Sequence, residues 1–548
     1  MRSTLLHAGM LYSRFRYWRP LARLARRPDE AQREVLANIV GANRDTRFGR
    51  EHGFDTIRNH RDFETRVPIQ EYETLRPYID EQRRTGAAAL TAEAPAFYAQ
   101  TSGTTSKPKH IPVTPSMLAM QRREQALFSY LQYRACPAAF GGKAFGIMGA
   151  AVEGRLDSGH IVGSVSGHLY QSLPRTIRSR FVVPPEVLGI ADYDLKYFVM
   201  LRLAIGQPNV TYLGTPNPST FLRLLDILND RRALLLDSLA AGGFDAVDGL
   251  DSRLRALLAP RLARDPDRAA RLRSLPVLTF ANVWPEIRLV TTWTGGSCGI
   301  ALEVVRRKLP PGTLVMELGY QSSECRGTIP LEPESPGGLP PLHHHFLEFI
   351  EQADWDSGRR ECLTVGQLAA GRRYYVLFTT AAGLYRYFMN DLVEVTGFFH
   401  ESPLLRFVQK GRGVTSLTGE KLYEAQVIEA VQHAAARHGV TSPFFVLVAD
   451  EQASAYRLYA QIDEGAGPDA DALSRVVDER LGELNIEYHG KRASGRLGPL
   501  AVSWLKAGTA DAYKAAAVRA GQREGQFKLA VLQYRKDLTF PFDDHVAP

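Results

Sequence analysis

A run of small and hydroxyl-bearing residues lies between two strand-like stretches early in the chain. Thr101–Ser106 reads Thr-Ser-Gly-Thr-Thr-Ser, and Lys107 and Lys109 follow it. Small residues let backbone N–H groups approach an anion closely, and the hydroxyls add further donors. The spacing of a Walker A loop is absent. The segment therefore predicts an anion-binding loop of another kind, in preference to a plain polar hairpin turn.

Two further segments place chemically useful side chains beside strands. Tyr320–Glu324 follows a strand-like run, and strand ends are where α/β proteins bind ligands. Tyr320 offers a flat face for a base, and Glu324 offers a hard oxygen ligand for Mg²⁺. Asp391, after an aromatic run, could accept hydrogen bonds from both hydroxyls of a ribose. Taken alone, a solvated loop and an ordinary strand turn explain these two segments equally well.

Two other features have plainer explanations when they are considered alone. Lys528, in the run Gln526-Phe527-Lys528, is by itself an ordinary surface charge. The tract His343-His344-His345 suggests a metal site, and on a strand its first and third members would share one face. No third ligand or carboxylate that would complete such a site is evident, so we do not expect a metal there.

The elements around these residues alternate between strand-like and helical patterns from about residue 94 to residue 395. This alternation is typical of an α/β architecture. Helices are expected at Ser219–Leu228 and Ala301–Lys308. The expected strands are Phe97–Gln100, Ala144–Met148, Val210–Leu213, Leu289–Trp293, Thr313–Leu318 and Tyr374–Thr379.

A domain boundary is predicted at residues 410–413, where two glycines and two cations follow the strand-like run Leu404–Val408. The predicted organisation is a large domain over residues 1–409, a hinge over 410–413 and a small domain over 414–548. The small domain is expected to contain the helix Glu424–Arg437, the strands Phe444–Val448 and Tyr456–Gln461, and the helix Asp469–Leu484.

The positive charge of the chain is concentrated at its N-terminus. The formal net charge is +8 over 548 residues, and residues 1–27 hold seven arginines with no lysine and no acid. The remainder is nearly neutral, so we expect no nucleic-acid partner. Residues 1–27 predict a basic amphipathic helix broken at Pro20, followed by a helix over Asp29–Asn43. Docking of the first helix on its own domain is favoured over weak contact with a membrane surface.

The composition also bears on the cellular compartment. The four cysteines form no CxxC pair and no disulfide framework, which favours a reducing compartment. No apolar run approaches 18 residues, so no membrane-spanning helix is expected. Ser3–Ser13 is a poor secretory signal, because His7 interrupts it and an arginine follows it. We therefore expect a cytoplasmic protein.

Taken together and in this order, the segments resemble the auxin-responsive Gretchen Hagen family of acyl-acid amido synthetases. That family lies within the superfamily of acyl-CoA ligases and luciferase, and this chain would be a bacterial-type member. The resemblance covers roughly residues 30–535, and the combination is far more specific than any one motif. Its other motifs are Gly41–Gly49, Asp62–Glu73, Ile111–Thr114, Gly383–Tyr387, and Gly419–Lys421 with Glu424.

The resemblance implies an α/β fold: a large N-terminal domain of luciferase-like architecture, with β-sheets flanked by helices, and a small mobile C-terminal domain. It also implies two chemical steps that use ATP and Mg²⁺. A carboxylic acid attacks the α-phosphorus of ATP, which gives an acyl-adenylate and pyrophosphate. An amine, usually of an amino acid, then displaces AMP. There are two alternatives to this function. The acceptor in the second step could be a thiol or an alcohol, or the chain could be a catalytically silent relative that only binds a ligand. The protein is expected to be a monomer.

Roles for individual residues follow from the resemblance. Lys528 would neutralise the α-phosphate and the carboxylate, Glu324 would bind Mg²⁺, and Asp391 would hold the ribose hydroxyls. Lys410 would belong to the hinge. The residues expected to hold the phosphates are Ser102, Gly103, Thr104 and Thr105, and those expected on the adenine side are Tyr320, Ser322, Ser323, Gly296 and Ser297.

The chain departs from the family pattern at three places. Asn390 replaces the glycine before the motif aspartate, and asparagine tolerates a left-handed backbone better than most residues. Lys410 replaces a hinge arginine, which keeps the charge but loses the bidentate fork. Leu529-Ala530 replaces Pro-Arg. The acyl pocket is expected to be built partly from residues 149–170 and 210–225, whose sequence does not specify the acid.

Overall fold

The structure is a computed structural model that describes most of the chain. The described residues are 2–101, 109–244, 249–295, 298–335, 337–410, 414–418, 420–462, 467–493, 497–520, 522 and 527–547. Ser102–Thr105 of the predicted phosphate loop, Gly296, Ser297 and residues 411–413 of the predicted hinge lie outside these ranges.

Within the first 320 residues, the described part of the chain forms two four-stranded sheets and the helices that pack on them. The strands are β1 Phe97–Thr101, β2 Lys109–Val113, β3 Lys143–Gly146, β4 Gly154–Arg155, β5 Ile161–Gly163, β6 Val210–Gly214, β7 Leu289–Thr292 and β8 Leu314–Glu317. The helices are α1 Arg2–Ser13, α2 Arg19–Leu24, α3 Pro28–Asn43, α4 Arg47–Glu51, α5 His60–Arg66, α6 Tyr72–Thr85, α7 Pro115–Ala135, α8 Val165–Gln171, α9 Arg175–Arg178, α10 Tyr193–Ile205, α11 Ser219–Asp230, α12 Arg232–Ala241, α13 Ser252–Leu258, α14 Pro266–Arg273, α15 Phe280–Val283 and α16 Cys298–Arg307.

The sheet β3–β6–β7–β8 is parallel throughout. Its central strand β7 is buried along its whole length, as expected for a parallel strand covered by helices on both faces. In register, Gly214 of β6 lies opposite Thr291 of β7, and Thr292 lies opposite Glu317 of β8. The segments that follow these strands therefore emerge at one edge of the sheet, where α/β folds bind ligands.

A second, mostly antiparallel sheet has the order β11–β12–β13–β14–β10–β9. It shares a hydrophobic core with the helices at the start of the chain and with the sheet β2–β1–β5–β4. Its elements are β9 Ile329–Pro330, β10 Gly338–Leu339, β11 Phe346–Glu351, α17 Gln352–Asp356, β12 Arg373–Thr379, β13 Tyr387–Phe399 and β14 Ser402–Lys410.

The C-terminal residues build a separate sheet with the order β19–β18–β17–β20. One apolar cluster lies between this sheet and helices α18 and α19, and a second lies on its other face, around Phe444 and Phe542. The elements are β15 Val414–Thr415, β16 Leu422–Tyr423, α18 Glu424–Arg437, β17 Phe444–Asp450, β18 Ala455–Gln461, α19 Ala470–Leu484, α20 Ile486–Ala493, β19 Ala501–Trp504, α21 Thr509–Arg519 and β20 Leu532–Tyr534.

The strands and helices expected from the sequence are present, with ends displaced by at most three residues. The break predicted at Pro20 is wrong. The chain stays helical from Arg2 to Leu24, and a π-helical turn over Arg14–Trp18 precedes the proline. Proline lacks the backbone N–H that donates an ordinary helical hydrogen bond. The wider π-helical turn changes the backbone hydrogen-bond pattern just before Pro20, so the helix continues past the proline. No helix in the described part of the chain is long and apolar enough to cross a membrane.

The tract His343–His345 lies in a turn before β11, so the alternation of faces on a strand does not apply to it. His344 Nδ1 is 2.5 Å from Oε1 of Glu124 on α7, and both side chains are buried. Burial opposes ionisation of Glu124, but the charge of His344 and its hydrogen bond lower the pKa of this carboxyl. Among the residues that the structure describes, no group of three or more His, Cys, Asp or Glu could hold a metal ion.

Candidate active site

A cavity of about 2960 Å³ lies at the carboxyl edge of the parallel sheet, against the second sheet and the C-terminal unit. The two regions expected to form the acyl pocket, 149–170 and 210–225, both contribute to its wall. The sequence-predicted site residues that line this cavity are Tyr320, Ser322, Ser323, Glu324, Asp391 and Lys528. Residues up to 208 positions apart in the sequence are thus brought to one cavity.

The turn after β8 positions Tyr320 and Glu324. Gly319 has φ +91°, and a Cβ there would lie 2.4 Å from the carbonyl oxygen of Thr328, so only glycine fits. The Ser322 hydroxyl accepts the backbone N–H groups of Glu324 (3.2 Å) and Cys325 (3.3 Å). Ser322 therefore shapes the loop that carries Glu324.

Tyr320 and Asp391 form a direct hydrogen bond. The Tyr320 hydroxyl donates to Oδ2 of Asp391 at 2.7 Å, and Asp391 is only 3% exposed. Burial, together with the charge of Asp391, raises the pKa of Tyr320 well above its usual value, so the phenol stays a neutral donor. The Tyr320 ring stacks on Phe407 with centroids 5.6 Å apart and planes 18° apart, which covers one of its faces. Tyr320, which is predicted to contact the adenine base, thus also orients Asp391, which is predicted to bind the ribose.

The backbone at Asn390 is left-handed, with φ +56°. Asparagine adopts this conformation more readily than most residues, so strand β13 accommodates it where the family pattern has glycine. Strand β13 carries the neighbouring Asp391 directly opposite Lys410, the last residue of β14. Asp391, which is predicted to bind the ribose, is therefore the cross-strand neighbour of Lys410, the first residue of the predicted hinge.

Glu324 is a candidate ligand for a cation held mainly by phosphate. It lines the cavity and is 9% exposed, and among the described residues its carboxylate has no hydrogen bond or ion pair. A single hard carboxylate facing a cavity is a ligand that Mg²⁺ can use, since this ion keeps several waters and binds through one or two carboxylates. Glu324 would therefore supply one ligand to a magnesium ion whose other ligands come from water or substrate, and no metal site made by protein side chains alone is present among the described residues.

Lys528 enters the cavity from the C-terminal unit. Its Nζ lies 5.3 Å from the ring centre of Trp293 and 5.6 Å from that of Phe407, both within the range of cation–π attraction. The preceding residue is held by the segment after β6, because Nδ2 of Asn217 donates to the Phe527 carbonyl at 2.6 Å. No local sequence pattern singles out Asn217, Trp293 or Phe407, since each contacts its partner in the site only across a long separation in sequence.

Glu424 is a further ionisable group beside Lys528. Its Oε1 accepts the backbone N–H of Val531 at 3.1 Å, which ties the lysine-bearing segment to the first turn of α18. Burial raises the pKa of Glu424 to about 7, although this hydrogen bond and the charge of Lys528 act in the opposite direction. Glu424 is part of the motif pattern in the sequence, but its proximity to Lys528 is visible only in the structure.

Glu317, at the end of β8, joins two loops of the site. Its Oε2 accepts the Thr294 backbone N–H at 2.5 Å, and its Oε1 accepts the Gly319 N–H at 3.2 Å. Burial raises the pKa of this carboxyl, while the hydrogen bonds lower it. An acidic residue within a buried apolar strand is the sequence signal that could have identified it.

The motif Asp62–Glu73 lies partly against the start of β13 and partly on the cavity wall. Arg386 pairs with buried Glu348 (3.0 Å) and donates to the Val67 carbonyl at 2.8 Å. Gln70 and Phe388 also share a backbone hydrogen bond of 2.8 Å. These contacts anchor the start of β13, the strand that carries Asp391. Glu71, Tyr72 and Glu73 at the end of the motif line the cavity themselves, so the motif both anchors β13 and forms part of the cavity wall.

The fold of this chain is shared with ligases that form acyl-adenylates. A 2-hydroxyisobutyryl-CoA ligase, solved in the postadenylation state, superposes with a TM-score of 0.52 at 13% identity, over 87% of this chain and 86% of that one. The fold is therefore that of acyl-adenylate-forming ligases. Sequence profiles of the GH3 family match at residues 19–311 (N-terminal domain), 339–410 (central domain) and 425–536 (C-terminal domain). The chain belongs to the GH3 family.

Individual relatives align over nearly the whole chain. An indole-3-acetic acid-amido synthetase, GH3.8 of Oryza sativa subsp. indica, is 26% identical over 94% of this chain and 89% of its own length. GH3.3 of Arabidopsis thaliana, which has the same description, is 23% identical over 96% and 93%. The solved AtGH3.15 acyl acid amido synthetase in complex with 2,4-DB superposes with a TM-score of 0.85 at 20% identity, over 97% and 96%.

Proposed function

We propose that this chain is an acyl-acid amido synthetase. It activates a carboxylic acid with ATP to an acyl-adenylate and pyrophosphate, and then transfers the acyl group to an amine, that of an amino acid, to give an amide and AMP. Family membership supports the reaction class. The observation that carries the proposal is the convergence on one cavity of Glu324, the Tyr320–Asp391 pair and Lys528.

The physical problem of the first step is that an anionic acid must approach polyanionic ATP. The Lys528 ammonium offsets this charge at the α-phosphate and the carboxylate, and the aromatic rings of Trp293 and Phe407 hold it there. Tyr320 orients the Asp391 carboxylate towards the ribose hydroxyls. Fixing both reactants in line converts the encounter into an intramolecular step.

We infer the remaining contacts with phosphate, adenine and Mg²⁺ from the family resemblance. Ser102, Gly103, Thr104 and Thr105 contact the phosphates, and Gly296, Ser297, Ser322 and Ser323 lie on the adenine side. Glu324 holds the Mg²⁺ ion, which supplies charge neutralisation at the phosphates when it is bound.

The domain organisation proposed with this function is 1–409, a hinge at 410–413 and 414–548. Rotation of the small domain about the hinge withdraws Lys528 after the first step, so that the amine can reach the acyl carbonyl. The separate apolar clusters of the C-terminal unit support its movement as one body. The enzyme is a cytoplasmic monomer in this proposal, and its four free cysteines suit a reducing compartment.

The test is a pyrophosphate-release screen over a panel of carboxylic acids, followed by an amino-acid panel with the best acid. Mass spectrometry of the products then identifies the acceptor. We expect AMP and an N-acyl amino acid in equal amounts. A thioester or ester from mixed nucleophiles would show a different acceptor class, and no AMP release with any acid would show a silent binding protein.

A further inference from the structure

The outer side of the N-terminal helix exposes three large apolar side chains. Leu11 is 38% exposed, Tyr12 is 59% exposed and Phe15 is 53% exposed. Single exposed apolar residues are common, but three within five positions form a patch that the rest of the protein leaves uncovered.

The same surface is strongly cationic. Arg14, Arg16 and Arg19 are exposed, and none of them forms an ion pair with an acidic side chain that the structure describes. The Arg19 guanidinium lies 4.3 Å from the ring centre of Phe15, so charge and apolar surface are contiguous. Residues 1–27 contain no acid to neutralise these charges.

The opposite side of this helix is a wall of the candidate active-site cavity. Leu6, Gly9, Met10 and Ser13 line the cavity, and their spacing of three, one and three residues defines one face of a helix. The helix is held in this position because His7 Nδ1 contacts the Tyr133 hydroxyl at 3.2 Å and Leu21 is buried in the main core. The helix therefore separates the cavity from the exposed cationic patch.

We propose that this helix docks the protein on an anionic lipid bilayer, with Leu11, Tyr12 and Phe15 inserted between headgroups and the arginines on the phosphates. The cavity behind it then takes a lipophilic carboxylic acid from that bilayer, and this second part rests on the proposed function. An interfacial helix combines apolar anchors with a basic surface in this way. A nucleic acid would use the arginines but would leave the three apolar side chains without a partner.

Vesicle flotation of the full chain tests the docking without ATP. We expect binding to vesicles of phosphatidylglycerol and phosphatidylcholine, and little binding to phosphatidylcholine alone. Two variants, Tyr12→Ser/Phe15→Ser and Arg14→Gln/Arg16→Gln/Arg19→Gln, should each weaken binding by about tenfold or more. The charge-matched control Arg253→Gln/Arg261→Gln/Arg271→Gln removes three exposed arginines elsewhere and should bind like the wild type.

Equal binding to both vesicle types, or an unchanged affinity in either N-terminal variant, would overturn the docking proposal. If vesicle binding is lost in the arginine variant but kept in the Tyr12/Phe15 variant, the protein has only a general attraction to polyanions, and the docking proposal is wrong. For the second part, anionic vesicles should accelerate AMP formation with a long-chain acid more than with acetate, and the arginine variant should lose this difference. The absence of a difference in the wild type would overturn the substrate class while leaving both the docking and the ligase function intact.

Discussion

Replacement of Lys528 by alanine removes the charge on which the proposed adenylation depends. The ammonium lies 5.3 Å and 5.6 Å from the rings of Trp293 and Phe407, and no acidic side chain in the described ranges forms an ion pair with it. Its charge is therefore directed at the cavity. One preorganised donor in such a site contributes about 2.7–4 kcal/mol, and a full charge contributes more, so adenylation should fall by about two to four orders of magnitude.

The assay is acid-dependent exchange of pyrophosphate into ATP, which reports the first step alone. Lys506→Ala is the matched control, because it removes an exposed lysine of the same C-terminal unit that lies outside the family motifs, and it should leave exchange unchanged. Lys528→Arg keeps the charge and should lie between alanine and the wild type. Unfolding by urea should be similar for all of these variants, since Lys528 makes no described ion pair within the protein.

The position of the lysine can be tested separately from its charge. Asn217→Ala removes the 2.6 Å hydrogen bond to the Phe527 carbonyl, which is worth about 1 kcal/mol, so exchange should fall by about fivefold. An exchange rate for Lys528→Ala equal to that of the wild type would refute the role of the ammonium. A larger loss of pyrophosphate exchange in Asn217→Ala than in Lys528→Ala would show that the position of the Phe527–Lys528 segment matters but the charge of Lys528 does not.

The remaining predictions concern three acidic residues. Asp391→Ala should raise KM for ATP by about tenfold or more, because a ribose contact is lost, and an unchanged KM would show that the ribose assignment is wrong. The contribution of Glu424 to the unfolding free energy should fall as pH rises from 4.5 to about 7, since between these values Glu424 is protonated only in the folded chain. Urea titrations of the wild type and of Glu424→Gln should therefore show a difference in unfolding free energy that changes across this range in the direction of a less stable wild type at the higher pH. Glu124→Ala should lower the unfolding free energy by about 3–5 kcal/mol in the same assay, because it leaves buried His344 unpaired.

The sequence by itself determined the class of fold, and it predicted the site residues whose roles the variants above test. Strand-like runs such as Val210–Leu213 and helical runs such as Glu424–Arg437 have local causes, namely apolar spacing and turn residues, so their positions follow from neighbours along the chain. The expectation that a proline breaks a helix was wrong at Pro20. The π-helical turn before it accommodates a residue without a backbone N–H, so the helix is continuous.

Only the tertiary structure decided how these residues act on one another. Tyr320 bonds to Asp391 71 positions away, and Asn217 holds Phe527 310 positions away. Such pairs depend on the register of strands and on the approach of the C-terminal unit to the cavity, which no local pattern encodes. The raised pKa of Glu424 has the same origin, because burial is a property of the packed molecule and not of the residue. The cationic N-terminus was evident in the sequence, but only packing showed that the helix has one side on the cavity and the other exposed.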